Sequence, residues 1–504
     1  MNTPHVRDSA LHDPDADVSV TSALRSPRKL KTELLAGLVV ALALVPEAIS
    51  FSIIAGVDPR VGLFASVTMA ITIAFTGGRP AMISAATAAV ALVVAPVAKQ
   101  HGMDYLVATV ILAGVFQILL SVLGVAKLMR FVPRSVMVGF VNSLAILIFV
   151  AQLPHLIDVP WLVYPMVAIG LLVLVFLPRF TQVVPAPLVA IVLLTVVTVV
   201  FSLDVPNVGD QGELPDSLPS LFFPDVPFTV DTLRIIAPYA LAMALVGLME
   251  SLMTAKLVDD ITDTHSDKTR EGWGQGIANI VTGFFGGMGG CAMIGQTMIN
   301  VKVSGARTRI STFAAGVFLL ILMVVLGDIV GLIPMAALVA VMIMVSVGTV
   351  DWHSIDPRTL RLMPLSETLV MVVTVAATVI THNLAVGVVL GVLTAMVAFS
   401  RRVAHMTTVD KSVDGDGTCT YRVRGQLFWA SSNDLVHQFD YAEDPDRIVV
   451  DLTDADIWDA STVATLDAIQ HKYASKGKDV SVVGLDGASL GRLRRLSGKL
   501  GAGH

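Results

Sequence analysis

The sequence predicts a polytopic α-helical membrane protein with a small α/β domain at its carboxyl end. Of the 504 residues, 54% are hydrophobic and only 15% are charged, whereas about 25% of the residues of soluble proteins are charged. Apolar runs follow one another through residues 34–402, and over residues 403–504 the pattern becomes polar and alternating. We therefore expect a tail at 1–33, a membrane domain at 34–402 and a terminal domain at 403–504.

The membrane domain contains about fourteen apolar runs, which we interpret as membrane spans. They lie near 35–55, 60–76, 84–97, 104–126, 135–154, 162–177, 184–203, 235–258, 271–287, 291–303, 309–327, 329–348, 366–382 and 384–400. A helix needs about 20 residues to cross a bilayer. The runs at 84–97 and 291–303 are therefore too short to cross as simple helices.

The charge of the loops predicts the orientation of these spans. If the chain begins in the cytoplasm, the inner loops carry most of the Lys and Arg residues, as cytoplasmic loops do. The longest outer loop, at 204–232, is acidic instead. We therefore expect a multi-pass protein of the inner (plasma) membrane with both termini in the cytoplasm, no signal peptide, and a disordered tail at 1–33.

Two polar interruptions lie at membrane depth. Residues 283–300 (GFFGGMGGCAMIGQTMIN) contain six glycines and three amide or hydroxyl side chains among long apolar runs, and residues 75–87 (FTGGRPAMISAAT) repeat the Gly-Gly and Ala-Met-Ile pattern. Non-helical backbone at this depth is tolerated only where protein or a water-filled cavity satisfies its polar groups, and in transporters such segments form the substrate site. We interpret the pair as two broken helices of an internally repeated transporter.

Helices that begin at such breaks direct unpaired N–H groups and the positive end of the helix dipole into the gap, which suits an anion. The candidate substrate-binding residues at the two breaks are Thr87, Ala88, Ala292, Met293, Ile294, Gln296 and Thr297. The alternative is a tight helix crossing, which also needs small residues. Gln296 and Thr297 favour a binding site, because packing does not require their polar groups.

Two carboxylates lie within predicted spans, Glu47 and Glu250. Charges buried in a membrane are costly and are hypotheses of function by default. Either carboxylate could bind Na⁺ or exchange a proton, and Thr254, one turn after Glu250 on the same face, could supply a second oxygen ligand for Na⁺. The alternatives are a structural carboxylate and a Thr254 hydroxyl that bonds its own backbone.

Several other features limit the possible functions. Two cysteines, Cys291 and Cys419, do not make a disulfide framework or a metal cluster. The sequence contains no nucleophile–base constellation, so we expect neither an enzyme nor a cofactor. The net charge of −6 gives no reason to expect nucleic acid as a partner. In the terminal domain, Ser461 lies where a loop passes into a helix. We expect it to be first an N-cap and second a phosphate acceptor that would regulate the protein.

Several stretches resemble the sulfate permease (SulP) family of anion transporters, which are relatives of the mammalian anion exchangers and prestin. Residues 41–51 (ALALVPEAISF) and 55–64 (AGVDPRVGLF) are similar to the opening signature of that family, and 305–311 (GARTRIS) to the end of its tenth span. The terminal domain resembles a STAS domain at 423–430 (VRGQLFWA) and 449–452 (VVDL).

This resemblance implies fourteen spans in a seven-plus-seven inverted repeat, a core domain that moves against a gate domain, an anion between spans three and ten, and a homodimer. Glu47 stands where many members have Gln, which hints at proton coupling, and Thr297 stands where many have Arg. This pattern is closest to that of bacterial sodium-dependent bicarbonate members, in which an acid and a Thr hold Na⁺. Here these residues would be Glu250 and Thr254.

The resulting hypothesis is a secondary active anion transporter coupled to Na⁺ or H⁺ that works by alternating access. Bicarbonate is the first expected substrate, followed by sulfate and by C4-dicarboxylates through proton symport. The alternatives are a nucleobase carrier, an anion channel, and a membrane signalling scaffold in which the STAS domain is the working part.

Overall fold

Two helices lead the chain into the membrane domain, α1 (Val20–Arg25) and α2 (Pro27–Ala55). The computed structural model describes residues 19–124, 132–180, 185–214, 218–404, 407–415, 417–485 and 487–498. The predicted disorder of the tail is wrong for residues 20–33, because Pro27 is preset for the first turn of a helix and α2 begins there. Residues 1–18 lie outside the described residues.

Long apolar helices and shorter helical segments follow in two successive halves. The first half comprises α2, α3 (Pro59–Thr76), β1 (Ser84–Ala85), α4 (Ala88–His101), α5 (Met103–Val122), α6 (Arg134–Val150), α7 (Val163–Phe180) and α8 (Ala186–Val200). The second half comprises α9 (Val230–Thr262), α10 (Lys268–Phe284), β2 (Cys291–Ala292), α11 (Ile294–Met298), α12 (Arg309–Gly331), α13 (Met335–Thr349), α14 (Trp352–Ile355), α15 (Pro357–Leu362), α16 (Leu365–Thr381) and α17 (Leu384–Ala404). A π-helical turn, Ile299–Val303, continues α11.

The structure confirms the polytopic helical fold and both breaks. Seven described helices are long and apolar enough to cross a membrane, and several shorter apolar helices accompany them. The two strands lie at the predicted breaks, where glycines and polar residues interrupt the apolar runs. A helix follows each strand closely.

Glu33 fastens the beginning of α2 to the beginning of α12. The side chain is buried, and its Oε1 accepts hydrogen bonds from the backbone N–H groups of Arg307 (2.8 Å) and Thr308 (3.1 Å). Its Oε2 accepts a third bond, from the N–H of Ser311 (3.3 Å). These N–H groups lie at the positive end of the α12 dipole, where a carboxylate is favourable. The first turns of α2 are therefore part of the folded protein.

Contacts between α-carbons divide the chain into two compact units, residues 1–392 and 393–504. The second unit contains a four-stranded sheet in the order β3-β4-β5-β6, with β3 (Thr408–Val413) antiparallel to β4 (Thr418–Leu427). The strands β5 (Arg447–Ile457) and β6 (Asp479–Val483) continue it in parallel. The accompanying helices are α18 (Trp429–Leu435), α19 (Ala460–Ala474) and α20 (Gly487–Leu496). The predicted α/β alternation is confirmed, and the structure adds β3, which sequence analysis missed because its side chains are mostly exposed.

A buried carboxylate joins the edge strand of this sheet to α19. The Asp444 side chain is 0% exposed, and its Oδ1 lies 2.6 Å from Nζ of Lys411 on β3. Its Oδ2 accepts hydrogen bonds from the hydroxyls of Tyr421 (2.8 Å) and of Tyr473 on α19. Burial by itself would raise the pKa of Asp444, but the bonds from these three donors outweigh burial and hold that pKa below its usual range.

We predict that replacing Glu33 by Ala lowers the thermal stability of the detergent-solubilised protein. The variant leaves buried N–H groups at the start of α12 without an acceptor, which costs about 1–3 kcal/mol. The measurement is the thermal unfolding midpoint. Lys31→Ala, a neighbouring exposed position, is the control and should leave the midpoint unchanged; an equal midpoint for both variants would contradict the capping role.

We also predict that Asp444 makes the stability of the terminal domain dependent on pH. Because the folded-state pKa of Asp444 is lowered, its contribution is complete above about pH 5 and is lost as the pH falls through that pKa. Asp444→Asn should destabilise the domain at neutral pH and flatten its loss of stability in acid. The fluorescence of Trp429 and Trp458 during thermal unfolding of the full-length protein reports this change. Asp454→Asn, which alters an exposed carboxylate, should retain the wild-type acid profile.

Candidate functional site

The two broken segments meet as a pair of antiparallel strands. Ser84 pairs with Ala292 and Ala85 pairs with Cys291. The N–H of Met293 donates to the carbonyl oxygen of Ile83 at 2.9 Å. α4 and α11 each begin a few residues beyond their strand, and the antiparallel strands send them in opposite directions. The N-termini of both half-helices therefore lie beside the strand pair.

Buried polar side chains satisfy the backbone of the second break. The Asn279 amide bonds both backbone groups of Gly290: its Oδ1 accepts from the N–H at 2.9 Å, and its Nδ2 donates to the carbonyl at 3.0 Å. The Ser251 hydroxyl accepts from the N–H of Ala292 at 3.1 Å. An unpaired N–H or C=O costs several kcal/mol in a bilayer. These bonds therefore allow the chain to leave helical geometry at this depth.

A polar stripe on α10 supports the first break. Glu271, Gln275 and Asn279 are spaced by four residues, which places them on one helix face, and all three are buried. Glu271 Oε2 accepts from the N–H of Gly78 at 2.7 Å, and Gln275 Nε2 donates to Ser84 Oγ at 2.7 Å. Sequence analysis missed this stripe. The signal was available, since three polar residues at a spacing of four are unusual in an apolar helix.

The candidate residues of the first break lie at the start of α4. Thr87 is the N-cap, and its Oγ1 accepts from the N–H of Val90 at 3.3 Å. Thr87 and Ala88 are buried. The hydroxyl therefore lies at the positive end of the α4 dipole. The role of Thr87 and Ala88 toward an anion stays a prediction.

The start of α11 is more accessible. Ala292 and Met293 are buried, but Ile294 is only partly buried and Gly295 is exposed. A Cβ built on Gly295 would meet no atom within 4 Å. There is therefore open space beside the first turn of α11.

Thr297 and Gln296 contact different elements. The Thr297 hydroxyl is fully buried and accepts from the N–H of Ile83 at 3.0 Å, so it fastens α11 to the first break. Its role toward an anion stays a prediction. Gln296 Nε2 donates to Glu47 Oε1 at 2.9 Å, and this bond connects α11 to α2.

The second carboxylate, Glu250, bonds a residue that sequence analysis set aside. Cys291 Sγ donates to Glu250 Oε2 at 2.9 Å and lies 3.2 Å from Thr87 Oγ1. The Thr254 hydroxyl donates to the backbone carbonyl of Glu250 at 2.8 Å, so it bonds its own helix backbone. Glu47 and Glu250 thus both bond side chains of the same short segment, residues 291–296.

Ser461 lies in the first turn of α19 and is exposed. Its prediction as an N-cap is wrong. Asp459 is the N-cap, because its Oδ1 accepts from the N–H of Thr462 at 3.0 Å. The role of Ser461 as a phosphate acceptor stays a prediction.

Comparison with known proteins identifies both parts of the chain. Residues 30–164 and 157–374 match the sulfate permease family, and residues 410–497 match the STAS domain. The putative sulfate transporter YbaR of Bacillus subtilis is 52% identical over 468 residues, which cover 93% of this chain and 97% of YbaR. The bicarbonate transporter BicA of Picosynechococcus is 25% identical, over 93% of this chain and 91% of BicA.

Solved structures share the fold. The transmembrane domain of a cyanobacterial BicA superimposes with a TM-score of 0.63 at 25% identity, covering 73% of this chain and 98% of that domain. Murine Solute Carrier 26 family member A9, an anion transporter, superimposes with a TM-score of 0.78 at 15% identity, covering 92% of this chain and 87% of that protein. The matched family, the relative at 52% identity and the shared fold lead to one conclusion: the chain belongs to the sulfate permease family of membrane anion transporters and carries a STAS domain.

Proposed function

We propose that the protein is a secondary active transporter of bicarbonate, sulfate or a similar inorganic anion, coupled to Na⁺ or H⁺. The observation that carries the proposal is the strand pair: the N-termini of two half-helices lie beside it, and two carboxylates, Glu47 and Glu250, bond side chains of residues 291–296. The relatives support the substrate class, because one is named a putative sulfate transporter and another a bicarbonate transporter.

The anion binds between the N-termini of α4 and α11. The contributing residues are Thr87, Ala88, Ala292, Met293, Ile294, Gln296 and Thr297. Helix N-termini offer backbone N–H groups and a positive partial charge without a fixed cationic side chain. The open space beside Gly295 gives the anion access to the first turn of α11. Movement of a core domain against a gate domain then exposes this site to each side in turn.

The coupling ion binds at Glu250, and Glu47 is the second candidate. For Na⁺ the hard oxygens at hand are the Glu250 carboxylate and the Thr254 hydroxyl, which retains acceptor capacity while it donates to the backbone. The thiol of Cys291 on Glu250 Oε2 is a soft group that Na⁺ does not prefer. A proton needs only the carboxylate. The site therefore fits either ion, and transport measurements distinguish them.

The arrangement in the cell is part of the same proposal. We place the protein as a homodimer in the inner membrane with both termini in the cytoplasm, and we keep 34–402 as the transporter domain and 403–504 as the STAS domain. The basic inner loops and the acidic loop at 204–232 support this orientation. Phosphorylation at exposed Ser461 would add negative charge at the start of α19 and so regulate the STAS domain.

We predict that Glu250→Gln abolishes ion-driven accumulation of anion. The purified protein in liposomes takes up labelled sulfate or bicarbonate under an imposed Na⁺ gradient or an imposed pH gradient, and the gradient that drives uptake identifies the coupling ion. The variant retains the shape of the side chain but cannot carry the charge, so gradient-driven uptake should fall about tenfold or more.

The matched control is Glu367→Gln, the same chemical change at an exposed position, which should transport as the wild type does. Undiminished driven uptake in Glu250→Gln would move the coupling role to Glu47. Failure of the wild type to take up either anion would contradict the proposed function itself.

We also predict that the Thr87 hydroxyl contributes to anion affinity. Thr87→Val removes the N-cap that orders the first turn of α4, a loss of about 1 kcal/mol, so the KM for the anion should rise about fivefold. Thr87→Ser retains the hydroxyl and should remain close to the wild type. Equal KM values for the Val and Ser variants would show that this N-terminus does not bind the anion.

A further inference from the structure

The Gln296 amide is bonded at one end and unpaired at the other. Its Nε2 donates to Glu47 Oε1 at 2.9 Å, and its Oε1 is buried without a hydrogen-bond partner among the described residues. The Gln296 side chain is 2% exposed. A buried carbonyl oxygen without a donor costs free energy, and such an atom in a native structure calls for a physical explanation.

This amide lies between a titratable group and the proposed anion site. Gln296 is in the first turn of α11, and Glu47 is in the middle of α2, which packs against both α4 and α11. Glu47 is only partly buried, so it can exchange protons with water more readily than a fully enclosed group. No other described side chain donates a hydrogen bond to Glu47.

The chemistry of the two groups accounts for the unpaired end. An ionised carboxylate can only accept hydrogen bonds, whereas a protonated carboxyl also donates one. Ionised Glu47 therefore takes the N–H end of the amide and leaves Gln296 Oε1 unpaired. When Glu47 is protonated, its O–H can donate to Gln296 Oε1. The amide group of Gln296 then rotates by about 180° about χ3, a torsion with two roughly equivalent minima. Nε2 then occupies the position that Oε1 held.

We propose that Gln296 is a positioning residue that couples protonation of Glu47 to anion binding at the start of α11. With Glu47 ionised, the site holds a negative charge and an unpaired carbonyl oxygen, and both disfavour an anion. With Glu47 protonated, that charge is gone and a free N–H donor replaces the carbonyl oxygen. The inference deepens the proposed function and rests on it.

None of the other described charged groups near α2 forms a hydrogen bond or an ion pair with Glu47. On the elements that pack against α2 they are Arg25, Arg60, Lys99, His101, Lys302 and Arg309, and the other carboxylate near residues 291–296, Glu250, bonds Cys291. Arg60 and Lys99 belong to the ends of α3 and α4 opposite the break, and at a rise of about 1.5 Å per residue Lys99 lies roughly 17 Å from Ala88. Lys302 and Arg309 come after the C-terminal end of α11 in the sequence. α8, α11 and α13 contribute no titratable residue.

The test measures the KM for labelled sulfate in liposomes at about pH 5 and about pH 8, a range in which sulfate keeps its charge while carboxyl groups titrate. We expect the wild-type KM to be about tenfold lower in acid. Gln296→Leu should show a higher KM whose change with pH is clearly smaller than in the wild type, because only the loss of the Glu47 charge then favours the anion in acid. Glu47→Gln should show a low KM that changes less with pH than the wild-type KM, because its carboxamide N–H donates as the protonated carboxyl does.

The matched control is Gln152→Leu, which removes another buried amide, whose Nε2 bonds Ile148 O of the preceding helix α6. This variant should retain the wild-type pH dependence. A wild-type pH dependence in Gln296→Leu would overturn the inference and leave the proposed function intact. Absence of wild-type uptake of both sulfate and bicarbonate would contradict the proposed function instead.

An infrared measurement tests the contact independently of transport. The carboxyl C=O band of protonated Glu47 is the band that disappears in Glu47→Gln. We expect it to shift in Gln296→Leu, because its O–H loses the amide acceptor. An unshifted band would show that the Glu47 proton does not bond Gln296, and the inference would fall whatever the transport results.

Discussion

The pairing of two short antiparallel strands inside a bilayer is the constraint on which the rest of the membrane domain depends. Lipid offers no hydrogen bonds, so every backbone group freed at the breaks needs a partner from the protein. The pair must also be close, and a Cβ at Gly290 would lie 2.0 Å from the carbonyl oxygen of Ala85. Glycine at this position and the surrounding buried amides and hydroxyls are therefore two parts of one structural solution.

The second broken segment also contacts both candidate carboxylates. Residues 291–296 contact Glu250 through Cys291 and Glu47 through Gln296, so each carboxylate bonds a side chain of the segment that begins α11. In a low-dielectric site, a change of charge at either carboxylate strongly affects the groups bonded to it. The helix N-terminus that we propose to bind the anion and the carboxylates that we propose to bind the coupling ion are then parts of one network.

The terminal domain is stabilised by a different arrangement. Its sheet combines an antiparallel edge strand with a parallel centre, and Asp444 joins that edge strand to α19 through Lys411 and Tyr473. A buried carboxylate with three donors is stabilising only while it remains ionised. In the membrane domain, neutral amides and hydroxyls and the buried carboxylates Glu33 and Glu271 satisfy the backbone groups, whereas the terminal domain buries an ionic cluster around Asp444.

The sequence by itself determined the class of fold and the positions of the apolar helices and of the two breaks, because apolar run length and glycine clusters are local properties of the chain. It also singled out Glu47 and Glu250, since charge within an apolar run stands out. Only the tertiary structure decided their partners. Cys291 and Gln296 are distant in sequence from the carboxylates they bond, and the face that each side chain presents depends on how the broken helices pack. The polar stripe of α10 could have been recognised from its spacing, but the bonds of Glu33 to α12 and of Glu271 to the first break could not be predicted, because they join segments far apart in the chain.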